Sequence, residues 1–318
     1  MYVIGVDIGG TSIKCGFVDV KGIITHRLSF PIDESKNQDA IIDQLTESIE
    51  KEIHVSGISK AEITGVGIGC PGSINSTNGT CDYSNNLGWA NLALCEKITS
   101  KTHLKSQVAN DANCAVLGEV LFGAGKGYRN LVMLTLGTGV GSGLYLNGQL
   151  YEGNEGKGAE LGHTLLVMDG RNCTCGRKGC LEAYCSASAL IADTKEAMNQ
   201  DHSSLMWFYC DNNLSKANGL TAFECAKKDD PSAKVVVDHY IHYLGEGLLS
   251  IINAFRPDAI ALGGGLSGQK DSLIRPLLAY LENQEYGFGG SHSPKVALFA
   301  SSLGNDAGIL GAAALLMR

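Results

Sequence analysis

Tyr2-Val3-Ile4-Gly5-Val6-Asp7-Ile8-Gly9-Gly10-Thr11, followed by Ile13-Lys14-Cys15-Gly16-Phe17-Val18-Asp19, reads as a strand, a glycine turn and a second strand. The second segment alternates rather than repeating every three or four residues, so a strand and not a helix follows the glycines. Lys21-Gly22 then signals a hairpin, and Ile23 to Phe30 supplies a third strand. The same order returns further on. Leu131 to Leu136 is an apolar strand, Gly137-Thr138-Gly139-Val140-Gly141-Ser142-Gly143 is the turn, and Leu144-Tyr145-Leu146 with Asn147-Gly148 gives a strand and a hairpin. A unit used twice implies a duplicated lobe with a cleft between the copies.

Between and beyond these repeats, strands alternate with helices, which makes an α/β protein. A helix is expected from about Gln38 to Val55, with Ile41, Ile42, Leu45, Ile49 and Ile53 on one face. Ile63 to Gly69 and Lys105 to Ala109 read as strands, with a short helix near 91–100 and a loop at Asn85-Asn86-Leu87-Gly88-Trp89. Strands near 259–263 and 294–300 alternate with helices near 233–255, 267–284 and 306–317. No low-complexity linker separates the lobes. The division expected is a small N-terminal lobe over 1–110, with the C-terminal helix 306–318 packed back on it, and a large lobe over 111–305.

Composition narrows the function. With 318 residues, two cores are the default, and 44% apolar content can fill them. The 41 glycines against 6 prolines need a cause, because glycine costs order unless backbone must turn tightly or approach a ligand. A formal charge of −8 argues against a nucleic-acid surface. Asp7 interrupts the apolar start, so no signal peptide is expected, and the run Gly308 to Met317 is too short to span a bilayer. Eleven cysteines without a secretion signal suggest thiols or metal ligands rather than disulfides, so a cytoplasmic enzyme is expected.

Three glycine loops can present backbone N–H groups to phosphate: Asp7 to Thr11 (Asp7, Gly9, Gly10, Thr11), Gly137 to Gly143 (led by Gly137, Thr138, Gly139), and Gly263-Gly264-Gly265. None ends in the Gly-Lys-Ser/Thr of a P-loop, and the first is followed by a strand, unlike a dinucleotide fingerprint. Two facing strand–turn–strand loops would grip one nucleotide, with Asp7 orienting its magnesium through water and Gly263 to Gly265 seating the adenosine. Ordinary tight turns are the plainer reading of any one loop alone.

Cys173-Thr174-Cys175-Gly176-Arg177-Lys178-Gly179-Cys180 is the most specific local feature. Three thiolates around a glycine-bearing turn make three corners of a tetrahedron, and His163, ten residues upstream, can supply the fourth. A closed set of three cysteines and one histidine is a structural zinc site with no open position for water. The other cysteines (15, 70, 81, 95, 114, 185, 210 and 225) do not cluster in sequence and read as packing residues.

With Asp7-Ile8-Gly9-Gly10-Thr11, Glu160-Leu161-Gly162-His163 and Cys173-x-Cys175-Gly176-x-x-Gly179-Cys180-Leu181-Glu182 in order, the chain resembles the ROK family of repressors, open reading frames and sugar kinases. The likeness runs through Leu262-Gly263-Gly264-Gly265 to Leu303-Gly304-Asn305-Asp306-Ala307-Gly308. In Asn86-Leu87-Gly88-Trp89 and Asn110-Asp111-Ala112-Asn113 it looks most like the glucokinase branch. One departure is Lys157-Gly158-Ala159-Glu160, where the family pattern has Ala-Gly before the glutamate.

The resemblance implies an actin-like, hexokinase-like duplicated fold of two lobes with a central cleft. It also implies a homodimer or homotetramer, and phosphoryl transfer from ATP with Mg²⁺ onto the 6-hydroxyl of D-glucose. It makes Asp111 the catalytic base. From the residues alone, Asp111 at a strand-to-helix junction reads first as a helix cap, and the resemblance reverses that order. The resemblance assigns Gly72, Asn86, Asn110, Asp111, Glu160, His163 and Glu182 to the sugar. Alternatives within the family are N-acetylmannosamine, N-acetylglucosamine, fructose, allose or a β-glucoside as substrate, polyphosphate as donor, or a sugar-sensing repressor. A repressor would need a DNA-binding helix-turn-helix ahead of strand one, which begins at Tyr2, so the enzyme is expected.

Overall fold

The computed structural model describes residues 1–33, 37–282, 284 and 295–317. The chain opens with strands β1 (Tyr2–Ile8), β2 (Ser12–Asp19) and β3 (Ile24–Pro31), then helix α1 (Gln38–Ser56) and strand β4 (Ile63–Cys70). Short strands β5 (Ser73–Asn75), β6 (Thr80–Ser84) and β7 (Trp89–Leu92) lead to α2 (Leu94–Thr102), β8 (Ser106–Asn110) and α3 (Asp111–Phe122). Strands β9 (Leu131–Leu136), β10 (Val140–Leu146) and β11 (Gln149–Tyr151) follow. Helices α4 (Glu182–Cys185), α5 (Ala187–Gln200), α6 (Leu205–Tyr209), α7 (Thr221–Ala226) and α8 (Pro231–Phe255) come next. The chain closes with β12 (Ala259–Gly263), α9 (Asp271–Glu282), β13 (Ala297–Ala300) and α10 (Ala307–Ala314).

The duplication read from the glycine turns is present in the strand order. One sheet runs β3-β2-β1-β4-β8 and the other β11-β10-β9-β12-β13, so each places a three-strand meander beside two later strands. In the first sheet, β1 is antiparallel to β2 and parallel to β4, and β4 is parallel to β8. Both expected hairpin turns form. Asn147 and Gly148 have φ of 54° and 82°, the pair of positive values that a type I′ turn demands.

The chain divides into two compact units, Met1–Leu131 with Gly143–Ala159 and Ser302–Arg318, and Val132–Ser142 with Glu160–Ser301. The first unit takes in α3, beyond the residue-110 division expected from the sequence, because α3 packs against α10 and β4.

In the first unit, alternation along β1 sends side chains to two layers. Ile4, Val6 and Ile8 join Ile41, Ile42, Leu45 and Ile49 of α1 in one core, with Ile53 packed at its margin. Val3 joins Ile309, Leu310 and Ala313 of α10 in another. Asn37 caps α1 by accepting from Ala40 N at 2.9 Å. Truncating any of these buried isoleucines to alanine would cost about 2–5 kcal/mol. Helix α10 lies close on a bed of glycine: a methyl at Gly5 would fall 2.1 Å from the Ile309 carbonyl oxygen, and one at Gly67 1.9 Å from that of Ala312.

The second unit is built on α8, started by Asp230, whose carboxylate accepts from Ala233 N at 2.7 Å, and by Pro231 in the first turn. Its Tyr240, Leu244, Leu248 and Ile252 are buried, and α9, with Leu273, Leu277 and Leu281 buried, packs against α8. The helix expected over 267–284 begins later, at Asp271. A 3₁₀ turn over Gly265–Gln269 precedes it, and Lys270 at φ 47° separates the two. Residues 283, 294 and 318 of the expected elements lie outside the described residues. The sheet β5-β6-β7 is not expected from periodicity, since its strands have only three to five residues.

Candidate active site

The predicted site residues fall into two sets, one in each unit. In the first unit, Asp7 is the penultimate residue of β1, followed by the turn Gly9, Gly10, Thr11, closed by Gly9 N donating to Ser12 O at 2.9 Å. The Asp7 carboxyl is raised to about 6 from an ordinary 3.8, first by burial and then by the charge of Asp111, with Lys14 opposing both. Lys14 is the cross-strand partner of Asp7 in the β1–β2 register. Sequence reading missed it, although a tight turn between antiparallel strands pairs positions 7 and 14.

Asp111 is the first residue of α3, directly after β8. The cap is Asn110, whose Oδ1 accepts from Ala112 N at 2.9 Å while its Nδ2 donates to Gly72 O at 3.2 Å. Asp111 Oδ1 shares that Ala112 N–H, also at 2.9 Å. Asp111 is therefore not needed as the cap. The residue is exposed to solvent, while its carboxyl group sits among protein atoms that desolvate it. This desolvation raises its pKa, outweighing the lowering by the backbone N–H groups of Ala112 and of Asp111 itself.

Gly72 sits at φ 112°, and a methyl there would fall 2.3 Å from Tyr83 O, so only glycine fits. Asn86 is exposed on the loop before β7, with its Cβ 3.8 Å from where a methyl on Gly10 would lie. The turn holding Asp7, the Gly72 carbonyl, Asn110 and Asp111 thus puts groups that could bind hydroxyls or a cation at the first sheet's strand ends.

In the second unit, Glu182 opens α4 and reaches the glycine turn that contains Gly137, Thr138 and Gly139. Its Oε2 accepts from Val140 N at 3.0 Å, and a methyl at Gly139 would fall 2.4 Å from that oxygen. Its Oε1 accepts from Thr174 Oγ1 at 2.8 Å. Cys173 Sγ also lies 3.6 Å from Oε1, so of the roughly four lone-pair directions of a carboxylate about one remains for a ligand. Thr174 was legible only as the residue between two cysteines. Glu160 is exposed, and with His163 it frames one 3₁₀ turn, Leu161–His163, held by Leu161 N donating to Ser142 Oγ at 2.9 Å. Gly263 ends β12, and Gly264 and Gly265 are exposed after it.

His163, Cys173, Cys175 and Cys180 bring one ligand atom each to within 4.8 Å of one another. Cys173 Sγ lies 3.6 Å from His163 Nδ1, and Cys175 Sγ lies 3.7 Å from Cys180 Sγ. Zinc bonds of about 2.0–2.3 Å in a tetrahedron set ligand edges of roughly 3.5–3.8 Å, so the donor set fits zinc. The turn is fixed by Cys173 N donating to Arg177 O at 2.8 Å and Gly176 N to Cys173 O at 3.0 Å. Approach through Nδ1 leaves the other ring nitrogen of His163 free.

The family model described as "ROK family" matches residues 3–318. A glucokinase of Halalkalibacterium halodurans is 35% identical over 98% of this chain and 93% of its own length. A glucokinase of Thermotoga maritima is 36% identical over 99% of this chain and 97% of its own. Among solved structures, a glucokinase from Streptomyces griseus in complex with glucose and AMPPNP superposes with a TM-score of 0.84, at 32% identity and 99% coverage of both chains. The actin-like, hexokinase-like α/β fold expected from the sequence is the fold of these structural relatives.

Proposed function

We propose that the chain, which belongs to the ROK family, catalyses the ATP-dependent phosphorylation of D-glucose to glucose 6-phosphate. The observation that carries this reading is Asp111: a solvent-reachable carboxyl with a raised pKa on a strand-to-helix junction that Asn110 caps, its charge in turn raising Asp7. A raised carboxyl accepts a proton more readily, as a general base must.

In this reading the first unit supplies the base and the cation ligand. The 6-hydroxyl of the sugar gives its proton to Asp111 as its oxygen attacks the γ-phosphorus. The bond to the bridging oxygen breaks, and ADP leaves with that electron pair. Asp7 would hold the Mg²⁺ that accompanies ATP, which supplies charge neutralisation on the phosphates when bound, and the N–H groups of Gly9, Gly10 and Thr11 would face phosphate. Gly72, Asn86 and Asn110 receive sugar hydroxyls. In the second unit, Gly137, Thr138 and Gly139 serve phosphate, and Gly263, Gly264 and Gly265 seat the adenosine. Glu160, His163 and Glu182 receive ring hydroxyls. Holding the ring and extending the exocyclic carbon selects the primary hydroxyl.

His163, Cys173, Cys175 and Cys180 would hold a structural zinc. Four protein ligands leave the metal no position for substrate, so what it supplies when bound is rigidity. The lever is short: Cys173 Sγ lies 3.6 Å from Glu182 Oε1.

Among the described residues no helix is long and apolar enough to cross a membrane. A cytoplasmic homodimer or homotetramer completes the reading, and sedimentation of the purified chain tests the assembly. The activity is tested by coupled ADP release, comparing kcat/KM for glucose, mannose, N-acetylmannosamine, N-acetylglucosamine, fructose, allose and cellobiose. Glucose should win; another sugar preferred by more than tenfold would replace glucose as the substrate while leaving the kinase in place.

A further inference from the structure

Glu119 is fully buried two turns after Asp111 on α3. A carboxylate near a helix C-terminus opposes the helix dipole, so such a group persists only where it is well paired. Here it is. Oε1 accepts from Ser302 N and from Leu303 N, each at 2.9 Å. Oε2 accepts from Ala124 N at 2.9 Å and from Ser302 Oγ at 3.1 Å. Three backbone N–H groups and a hydroxyl thus surround one carboxylate, and Gly123 leaves room for it, since a methyl there would fall 2.1 Å from Oε2.

The residues Glu119 grips begin the segment that enters α10. That helix is seated on α3 at backbone contact: a methyl at Gly311 would fall 1.8 Å from Cys114 O, and one at Gly118 3.0 Å from Ala307 O. The first turn of α10 meets Asp7, because a methyl at Gly308 would fall 2.3 Å from Asp7 Cγ. One rigid path therefore runs from Asp111 along α3 to Glu119, through Ser302 and Leu303 into α10, and back to Asp7. Close-packed contacts of this kind transmit small shifts rather than absorbing them.

We propose that Glu119 is a positioning residue for phosphoryl transfer, its carboxylate fixing the approach to α10 and thereby the placement of Asp7 relative to Asp111. The inference rests on the kinase reading above and names a residue that touches neither sugar nor nucleotide. A neutral amide at 119 would turn an N–H₂ toward donors that need an acceptor, loosening the grip without emptying the space.

The test compares wild type, Glu119→Gln and Ser302→Ala, the last removing only the hydroxyl. Glucose Kd and stoichiometry come from calorimetry, kcat is expressed per glucose-binding site, and amide hydrogen exchange is followed at residues 124, 302 and 303. Glu119→Gln should lower kcat per site at least tenfold with glucose Kd within threefold, and speed exchange at the three amides at least tenfold. Ser302→Ala should lower kcat per site two- to fivefold. A merely structural role would reduce binding stoichiometry and leave kcat per site unchanged, which overturns the proposal. Unaltered exchange at Ser302 and Leu303 would also overturn it. Should Glu119→Gln not fold, an unchanged kcat in Ser302→Ala decides against it. Failure of wild type to turn over glucose would instead sink the glucokinase reading, and the grip is then judged on exchange alone.

Discussion

The carboxylate of Asp7 lies directly against the backbone of Gly308, with room for a hydrogen and not for a methyl group: Asp7 Oδ2 would be 2.4 Å from such a methyl and Cγ 2.3 Å. Gly308→Ala must therefore move either Asp7 or the start of α10. Overpacking of this kind costs about 1–3 kcal/mol. The expected outcome is a lower urea midpoint together with a kcat reduced about tenfold or more. A kcat within twofold of wild type would show that Asp7 is free to move without consequence.

Asp111→Asn keeps the shape of the side chain, and Asn110 still caps α3. Stability should change little. Loss of a general base lowers kcat by about 10²–10⁴, while glucose affinity, read by calorimetry, should hold within a few fold. Near-full kcat in this variant would remove Asp111 from the chemistry.

How far these roles were legible in sequence differs residue by residue. The strand–glycine–strand repeat pointed to the sheet order, because alternation after Gly10 and after Gly139 admits no helix. The Cys/His quartet was legible because Cys173, Cys175 and Cys180 lie within eight residues of one another. Glu119 was not: as one charged residue in an apolar helix it reads as surface, and its partners at 302 and 303 are distant in sequence. The sheet β5-β6-β7 escaped because strands of three to five residues are too short to show a period. That Asn110 caps α3, so that Asp111 is not needed there, could be read only from the folded chain.

Asp7 gives a prediction with a defined sign. Its carboxyl stands at about 6 in the folded chain against an ordinary 3.8. An acid whose pKa rises on folding supports the fold below its unfolded value, and that support is lost as pH rises through the folded value. Ionised Asp7 therefore costs stability above pH 6. The full rise corresponds to about 3 kcal/mol, and partial exposure reduces the expectation to about 1–2 kcal/mol. Asp7→Asn should be more stable than wild type at pH 7.5 by that amount, equal to it near pH 3.5, and inactive at both. Wild-type kcat/KM should fall below pH about 6. Equal urea midpoints at pH 7.5 would show that Asp7 is not strained by its burial.

Cys175 is the exposed member of the metal set, while Cys173 and Cys180 are buried. Elemental analysis of the purified chain should find one zinc per chain, and Cys175→Ser should lose both the metal and most activity. Structural zinc carries on the order of 10 kcal/mol of apparent binding free energy, so the 163–182 segment should also become sensitive to protease. A metal-free chain with full activity would end the zinc assignment.

Ala159 is the departure from the family pattern noted in the sequence, and the backbone shows what it costs. Its φ is 66°, in the left-handed region where an alanine is about 1–2 kcal/mol less comfortable than a glycine. Glycine at that position relieves the strain but gives the unfolded chain more freedom, which returns about 0.4–1 kcal/mol. The relief of strain outweighs that added freedom, so Ala159→Gly should raise stability by about 0.5–1 kcal/mol, read as a higher urea midpoint at unchanged slope. Any backbone hydrogen bonds at 159 survive the change, so Glu160, the next residue, keeps its orientation and kcat/KM for glucose should stay within twofold. A lower midpoint would mean that the methyl group makes contacts worth more than the strain. A large change in sugar preference at equal stability would mean instead that the methyl, and not Glu160 alone, shapes what the second unit accepts.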